Sequence, residues 1–199
     1  MISAIVLAAG MSRRMGADNK LLLPLDGKPI LLHTLDRLQA AQPDEIVLVT
    51  GFESQKVEAI TAERSVRIVH NPSYETGMTS SIQVGLHALA PTVQAWMICL
   101  SDQPFLPSFV YSQLMDAFRE KGTLRSIVAP LYNGKRGNPI LFGSSYREAI
   151  LKHDQPNGCK EIVKANSHQL IGLPFDSSVL SQDIDTPNDY RLFQDGSKS

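Results

Sequence analysis

The residues best suited to chemistry lie where short apolar runs end. Leu7-Ala8-Ala9-Gly10-Met11-Ser12-Arg13-Arg14-Met15-Gly16 is followed closely by Asn19-Lys20. A triphosphate needs backbone N–H groups that approach it and cations that balance its charge. The small residues Ala8, Ala9 and Gly10 permit the approach, and Arg14 and Lys20 supply charge. The spacing fits neither a Walker A loop nor G-x-G-x-x-G. An ordinary strand-to-helix turn with exposed basic residues accounts for the same letters. A second run, Ala95–Leu100, passes directly into Ser101-Asp102-Gln103-Pro104, where the Asp102 carboxylate can face a crevice. Mg²⁺ favours a few carboxylates together with phosphate oxygens and water. Gly77-Met78-Thr79-Ser80-Ser81 precedes a helical stretch, and its hydroxyls suit N-caps. Asp185, ahead of Pro187, fits a helix-capping aspartate.

Other candidates fail on spacing. His33, His70, His87, His153 and His168 form no metal-ligand pattern with Cys99 and Cys159. Cys99 falls inside an apolar run and reads as core, as do Trp96 and the methionines.

The elements that must position these residues alternate as βαβ units do. Strands are expected at Ser3–Ala9, Glu45–Thr50, Arg67–His70, Ala95–Leu100, Ile127–Pro130, Ile140–Phe142 and Gln169–Leu173. Helices are expected over Pro29–Gln39, Ser54–Glu63 with Ser54 as N-cap, Thr79–Leu89, Pro107–Lys121, Ser145–Lys152, Cys159–Asn166 and Pro187–Phe193. The reading is a single α/β domain over 1–193, a Rossmann-like three-layer sandwich with a mostly parallel, doubly wound central sheet. A small insertion is expected around 133–160, and a polar, disordered tail over 194–199. In such sheets ligands sit beyond the carboxyl ends of the strands.

Composition narrows the classes. The 199 residues fit one core, with 43% hydrophobic content. A formal net charge of −1, from 19 basic and 20 acidic residues spread along the chain, excludes a basic stripe for nucleic acid. No apolar run approaches the roughly 18 residues that a membrane helix needs. The apolar N-terminus lacks the preceding positive segment of a secretion signal, since Arg13 and Arg14 follow it. Two reduced cysteines and a cytoplasmic location are therefore expected, with no membrane partner.

Five segments in order resemble the MobA-like nucleotidyltransferase family. They are LAAGMSRRMG with Asn19-Lys20, Asn71 to Ser81, Cys99 to Pro104, Arg136-Gly137-Asn138-Pro139, and Asp183-Ile184-Asp185-Thr186-Pro187. The resemblance implies transfer of a nucleoside monophosphate from an NTP to a phosphorylated acceptor, with release of pyrophosphate. It implies Mg²⁺ as cofactor, with Mn²⁺ able to substitute. Asp102 becomes a metal ligand and catalytic residue, with Asp185 as its partner; Asp183 on the same face leaves that choice open. Arg14 and Lys20 become catalytic through the β- and γ-phosphates. Leu7, Ala8, Ala9, Gly10, Ser12, Gly77, Met78, Ser80 and Ser81 are placed around the nucleotide, and Arg136, Gly137, Asn138 and Pro139 around the acceptor. Relatives often carry histidine where this chain has Asn138, and an acidic Gly-Asp-x-Gly turn where it reads Pro156 to Lys160. Lys160 suits an acceptor phosphate or open solvent.

Within the family, guanylyl-transferring members usually read Ala-Gly-Gly in the first loop and cytidylyl-transferring members Ala-Ala-Gly, as Ala8-Ala9-Gly10 does. That implies CTP as donor and a molybdopterin-type acceptor, with a molybdenum hydroxylase as the protein that receives the cofactor. Competing readings are another NTP or phosphorylated acceptor, a cofactor-loading chaperone with little turnover, and an NAD(P)H oxidoreductase. The last lacks G-x-G-x-x-G and an acidic ribose ligand at the expected spacing.

Overall fold

The apolar run at the N-terminus forms strand β1 (Ile2–Ala8), buried along both faces except at half-buried Leu7. Alternation sends Ala4, Val6 and Ala8 into one apolar layer and Ile5 into the other. The computed structural model of the chain describes residues 1–12, 19–175, 184 and 186–196. Strands β2 (Pro24–Leu25) and β3 (Lys28–Pro29) form a hairpin turning through Asp26 and Gly27, both at positive φ. Helix α1 (Ile30–Ala40), β4 (Glu45–Thr50), α2 (Ser54–Thr61), β5 (Arg67–His70) and α3 (Met78–Ala88) follow. Next come β6 (Ala95–Leu100), α4 (Ser108–Lys121), β7 (Ile127–Tyr132), β8 (Lys135–Arg136) and β9 (Ile140–Gly143). The chain continues as α5 (Arg147–Leu151), α6 (Lys160–Ala165), β10 (Leu170–Pro174) and α7 (Pro187–Gly196).

The main sheet runs β10-β7-β9-β6-β1-β4-β5, with β8 attached to β7. Strand β9 is antiparallel to both its neighbours and β8 is antiparallel to β7; the other pairings are parallel. Helices α1, α2 and α4 bury leucines, Val57 and Met115 on one face. Helices α3, α5 and α6 bury Ile82, Leu86, Ile150, Ile162 and Val163 on the other, giving three layers. The expected α/β sandwich with a mostly parallel sheet is what the chain forms.

Its details differ in places. The strand expected at Ile140–Phe142, within a small insertion around 133–160, runs over Ile140–Gly143 and is built into the main sheet between β6 and β7, because its apolar run needs cover on both faces. Ser54 is the first helical residue of α2, and the cap position is Glu53 in a left-handed conformation. The N-cap of α3 is Gly77, without a side chain, so the hydroxyls beyond it do other work. Helix α7 continues to Gly196, so residues 194–196 are helical rather than part of the expected tail. Its start is a capping box: Thr186 N–H donates to Asp189 Oδ2 (2.8 Å), and Asp189 N–H to Thr186 Oγ1 (3.2 Å).

From β1 the chain first adds β4 and β5 on one side, then crosses through α3 to add β6 on the other. Connections leaving β1 and β6 diverge, opening a crevice at their carboxyl ends. Helix α3 forms one wall and is held close to the sheet at Gly85. A Cβ there would overlap Ile5 Cγ2 and lie 3.2 Å from Val49 Cγ2. Gly85→Val should therefore lower stability by about 2 kcal/mol despite better helix propensity. A urea titration read by circular dichroism checks this; an unchanged midpoint would mean that α3 does not depend on that close approach.

Candidate nucleotide site at the carboxyl ends of β1 and β6

The turn after β6 is tied down from four directions. Ser101 Oγ donates to the Leu7 carbonyl at 2.6 Å, joining the ends of β6 and β1. Thr34 Oγ1 donates to the Ser101 carbonyl (3.0 Å), and Arg37 Nε to the Pro104 carbonyl (2.7 Å). Ile184, fully buried with Leu25 and Ile30, donates its N–H to the Asp102 carbonyl at 3.3 Å. Asp102 is thus presented on a rigid backbone.

The loop after β1 is fixed at both described ends. Lys20 N–H donates to Ser12 Oγ (3.2 Å), and Ser12 has positive φ. Buried Asn19 caps the 3₁₀ turn Lys20–Leu22 by accepting Leu21 N–H at 3.1 Å, and its amide reaches the Phe52 carbonyl at 3.4 Å. This brings Lys20 Nζ onto Asp102 Oδ2 in an ion pair whose side chains are 13% and 16% exposed. The other oxygen, Asp102 Oδ1, is buried and accepts no hydrogen bond from the described residues. A desolvated carboxylate oxygen without a donor is costly unless a ligand completes it. A hard cation fits that need. Among the described residues no cluster of three or more His, Cys, Asp or Glu side chains forms a metal cage.

Above this pair lies a cleft of about 690 Å³. Its floor is Leu7, Ala9, Gly10, Met11 and Ser12 with Leu100, Ser101 and Asp102; Lys20 and Leu21 close one side. Tyr74, Glu75, Gly77, Met78 and Ser81 form the facing wall, and Asn138 and Lys160 stand at its rim. Gly10 is exposed here, and a Cβ built on it would meet nothing among the described residues within 4 Å. Gly77 is different. At φ +123° it lies against Pro156, whose Cβ would be 2.7 Å from a side chain there, and the Pro156 carbonyl accepts Met78 N–H at 3.0 Å. Its lack of a side chain serves that contact.

Several expected residues stand elsewhere. Ala8 is buried in the opposite layer beneath α1 and α4. Ser80 donates to the Gly77 (2.9 Å) and Ser73 (3.1 Å) carbonyls and does not line the cleft. Of the acceptor quartet only Asn138 reaches it; Arg136 is exposed, and Pro139 is buried after a cis peptide bond. Arg14, Asp183 and Asp185 lie outside the described residues. Tyr74 and Glu75, inside the Asn71–Ser81 segment but not singled out in the sequence, form part of the wall; their closeness to Gly77 was the available signal.

A second depression, about 550 Å³, lies at the opposite end of the sheet around Met1, Gln94 and Leu124. Its charges are engaged: Asp44 Oδ2 accepts Ile2 N–H at 2.6 Å and Arg119 pairs with Asp116 at 3.0 Å. The orphaned carboxylate oxygen marks the carboxyl-end cleft instead.

Residues 4–170 match the family described as the MobA-like NTP transferase domain. The chain belongs to that family of nucleotidyltransferases. Three relatives are similar over most of their length. A molybdenum cofactor cytidylyltransferase of Escherichia coli (strain K12) is 30% identical over 195 residues, covering 95% of this chain and 93% of the relative. A molybdenum cofactor guanylyltransferase of Shewanella putrefaciens is 28% identical, covering 85% and 79%. A nicotine blue oxidoreductase of Paenarthrobacter nicotinovorans is 28% identical, covering 96% of each. Among solved structures, a Mycobacterium tuberculosis H37Rv protein superposes with TM-score 0.86 at 28% identity, covering 98% of this chain and 97% of that one. A structure from the same organism in complex with manganese gives TM-score 0.82 at 26% identity, covering 98% of each. No helix among the described residues is long and apolar enough to cross a membrane.

Neither cysteine is a nucleophile for this chemistry. Burial lifts the Cys99 thiol far above its ordinary value. Burial, helped by the Glu161 charge and opposed by Arg136, pushes Cys159 up to about 12. A raised folded value stabilises the fold fully below the ordinary thiol value of 9.0, and that stabilisation is lost as pH rises above it. The urea midpoint should therefore fall between about pH 8 and about pH 10.5, and Cys159→Ala should shrink the fall. An equal fall in the variant would assign the pH dependence to other groups.

Proposed function

We propose that this MobA-like nucleotidyltransferase moves CMP from CTP onto the terminal phosphate of a molybdopterin-type acceptor. An acceptor phosphate oxygen forms the new bond to the α-phosphorus, the bond from the α-phosphorus to the bridging oxygen breaks, and pyrophosphate leaves. The observation that carries the reading is the half-buried Asp102 carboxylate at the switch point, with Lys20 on one oxygen and, among the described residues, no donor on the other, buried one. A divalent ion, Mg²⁺ or Mn²⁺, would be held by Asp102 Oδ1 and would supply charge neutralisation at the α-phosphate. Manganese in a similar mycobacterial structure supports a divalent ion of this kind.

The chain's own residues do the rest. Gly10, lacking any side chain beside the cleft, lets the backbone approach the phosphates. Lys20 Nζ, held beside Asp102, stabilises negative charge as it builds on the leaving pyrophosphate, and Arg14 adds a second cation. No general base is needed, because a phosphate acceptor is already ionised near neutral pH. For the second carboxylate we propose Asp185, with Asp183 as the alternative. Ile184, between them in the sequence, is anchored on the Asp102 carbonyl, and Thr186 and Asp189 cap the start of α7. Asn138 and Lys160 at the rim face the acceptor. Arg136, Gly137 and Pro139, adjoining Asn138 in sequence, belong to the same acceptor-side segment in this reading.

The choice of CTP rests on Ala9. Its methyl is 3% exposed, at the cleft floor. A Cβ on Gly51 would come within 2.8 Å of the Ala9 Cβ and 2.7 Å of the Tyr74 Cβ, so Ala9, Gly51 and Tyr74 form one tightly packed corner beside the nucleotide. The cytidylyltransferase of Escherichia coli, similar over nearly the whole chain, supports the same donor and acceptor. A cytoplasmic site of action and delivery to a molybdenum hydroxylase accompany this reading. The oxidoreductase relative makes a redox role the reading to exclude, and titration with NADH and NADPH does so.

The deciding assay follows pyrophosphate release from Mg²⁺, molybdenum-loaded molybdopterin and each NTP in turn. Release with CTP is expected. Asp102→Ala should abolish it, and Lys20→Ala should slow it by about 10² to 10³ while circular dichroism shows the fold intact. Release with GTP alone would overturn the argument from Ala9 and leave the chemistry standing. An unchanged rate in Lys20→Ala would remove that lysine from the mechanism.

A further inference from the structure

Asn71 directly follows β5 and is 1% exposed, yet every polar atom of its amide is used. Its Oδ1 accepts Ser73 N–H at 2.9 Å. A backbone N–H can only donate, so this bond fixes which end of the amide is oxygen. The other end, Nδ2, then donates one hydrogen to Ser80 Oγ (3.0 Å) and one to Ser81 Oγ (2.9 Å). Its own N–H donates to the Thr50 carbonyl at 2.8 Å, which locks the residue onto the end of β4.

The two serines receive the same kind of bond and differ in what they pass on. Ser80 sends its proton to the Gly77 or Ser73 carbonyl, and its hydroxyl is satisfied inside the chain. Ser81 is 5% exposed, lines the cleft, and among the described residues donates to nothing. A hydroxyl has one proton. With Asn71 occupying an acceptor position of Ser81 Oγ, that proton is left for whatever fills the cleft.

We propose that Asn71 is a positioning residue that sets Ser81 as a hydrogen-bond donor, so that the site selects a nucleotide edge presenting an acceptor at that point. This rests on the reading of the cleft as the nucleotide site. For CTP the matching edge is the pair of adjacent acceptors O2 and N3 of cytosine. Asn71 touches no ligand itself; it acts by polarising the hydroxyl that does.

The substitution Asn71→Asp tests this. A carboxylate can still accept Ser73 N–H, but it presents a second acceptor to Ser81, which then turns its proton inward and its lone pairs toward the cleft. CTP binding would be measured by calorimetry with Mg²⁺ and without acceptor, on wild type, Asn71→Asp, Ser81→Ala and the double variant. Each single variant should raise Kd about tenfold or more. The double variant should be no weaker than Ser81→Ala alone, because the effect of residue 71 travels through the hydroxyl. In turnover assays KM for CTP should rise with kcat nearly unchanged. Additive losses would mean that the new charge repels the triphosphate directly, and the proposal would fall. Unaltered affinity in Asn71→Asp would also overturn it while the nucleotide site stood. A folded wild type that binds no NTP would remove the site reading and this inference together.

Discussion

Asp102 closes a strand whose other residues are almost entirely apolar and buried, and its carboxylate is only 16% exposed. Taking such a charge out of water costs several kcal/mol unless partners remain in place. Much of the surrounding architecture answers that constraint. Lys20 supplies the counter-charge, and it reaches Asp102 only because Asn19 and Ser12 fix the end of the preceding loop. Leu7, Thr34, Arg37 and Ile184 hold the turn that carries Asp102, so its backbone cannot shift without breaking contacts on four sides. The cost that remains, an oxygen with no donor among the described residues, is one that a bound cation would relieve.

The sheet topology explains why that constraint can be met here. Crossing from β5 through α3 to β6 leaves a gap between the connections after β1 and β6. At this position one strand end can contribute a phosphate-approaching loop and its neighbour a carboxylate, a few residues apart in space and about ninety apart in sequence. Gly85, pressed against Ile5, keeps α3 low enough to wall the gap, and Gly77, pressed against Pro156, ties the start of α3 to the loop that carries Lys160. Thr79 strengthens the same tie, donating to the Gln155 carbonyl and accepting Gly158 N–H at 3.0 Å. The wall formed by the start of α3 and the rim that carries Lys160 are thereby mechanically joined.

How much of this the sequence revealed depended on how local each cause is. Strands β1, β4 and β6 were legible because strands covered on both faces read as continuous apolar runs. The place of β9 was not, since Ile140–Gly143 reads the same whether it pairs parallel or antiparallel. The β2–β3 hairpin went unread despite its Asp26-Gly27 turn, because two-residue strands carry no periodicity. Within the site, Lys20 and Asp102 were legible from strand-end chemistry, and the structure pairs them. Ser80 and Ser81 could not be told apart. Neighbours on a helix point roughly 100° apart, and which one faces the cleft is decided by how α3 packs on β1 and β4. Gly77 looked like a ligand glycine, whereas its cause, Pro156, lies far along the chain.

These parts divide the work between charge and hydrogen-bond polarity. In the proposed reaction Lys20, Asp102 and the approach allowed by Gly10 would act on phosphate, which every nucleoside triphosphate shares, so they would favour the reaction without choosing a base. On the same reading, selection falls to Ala9 at the floor and to the facing wall, where the Ser81 hydroxyl is neutral and its donor or acceptor sense is open. A lone serine could serve either sense. The bonds of Asn71 would remove that freedom before any ligand arrives, at the cost of burying a fully committed amide. A hydroxyl whose sense is fixed by the fold rejects the wrong edge by leaving a buried donor unpaired, a stronger penalty than losing one attractive contact.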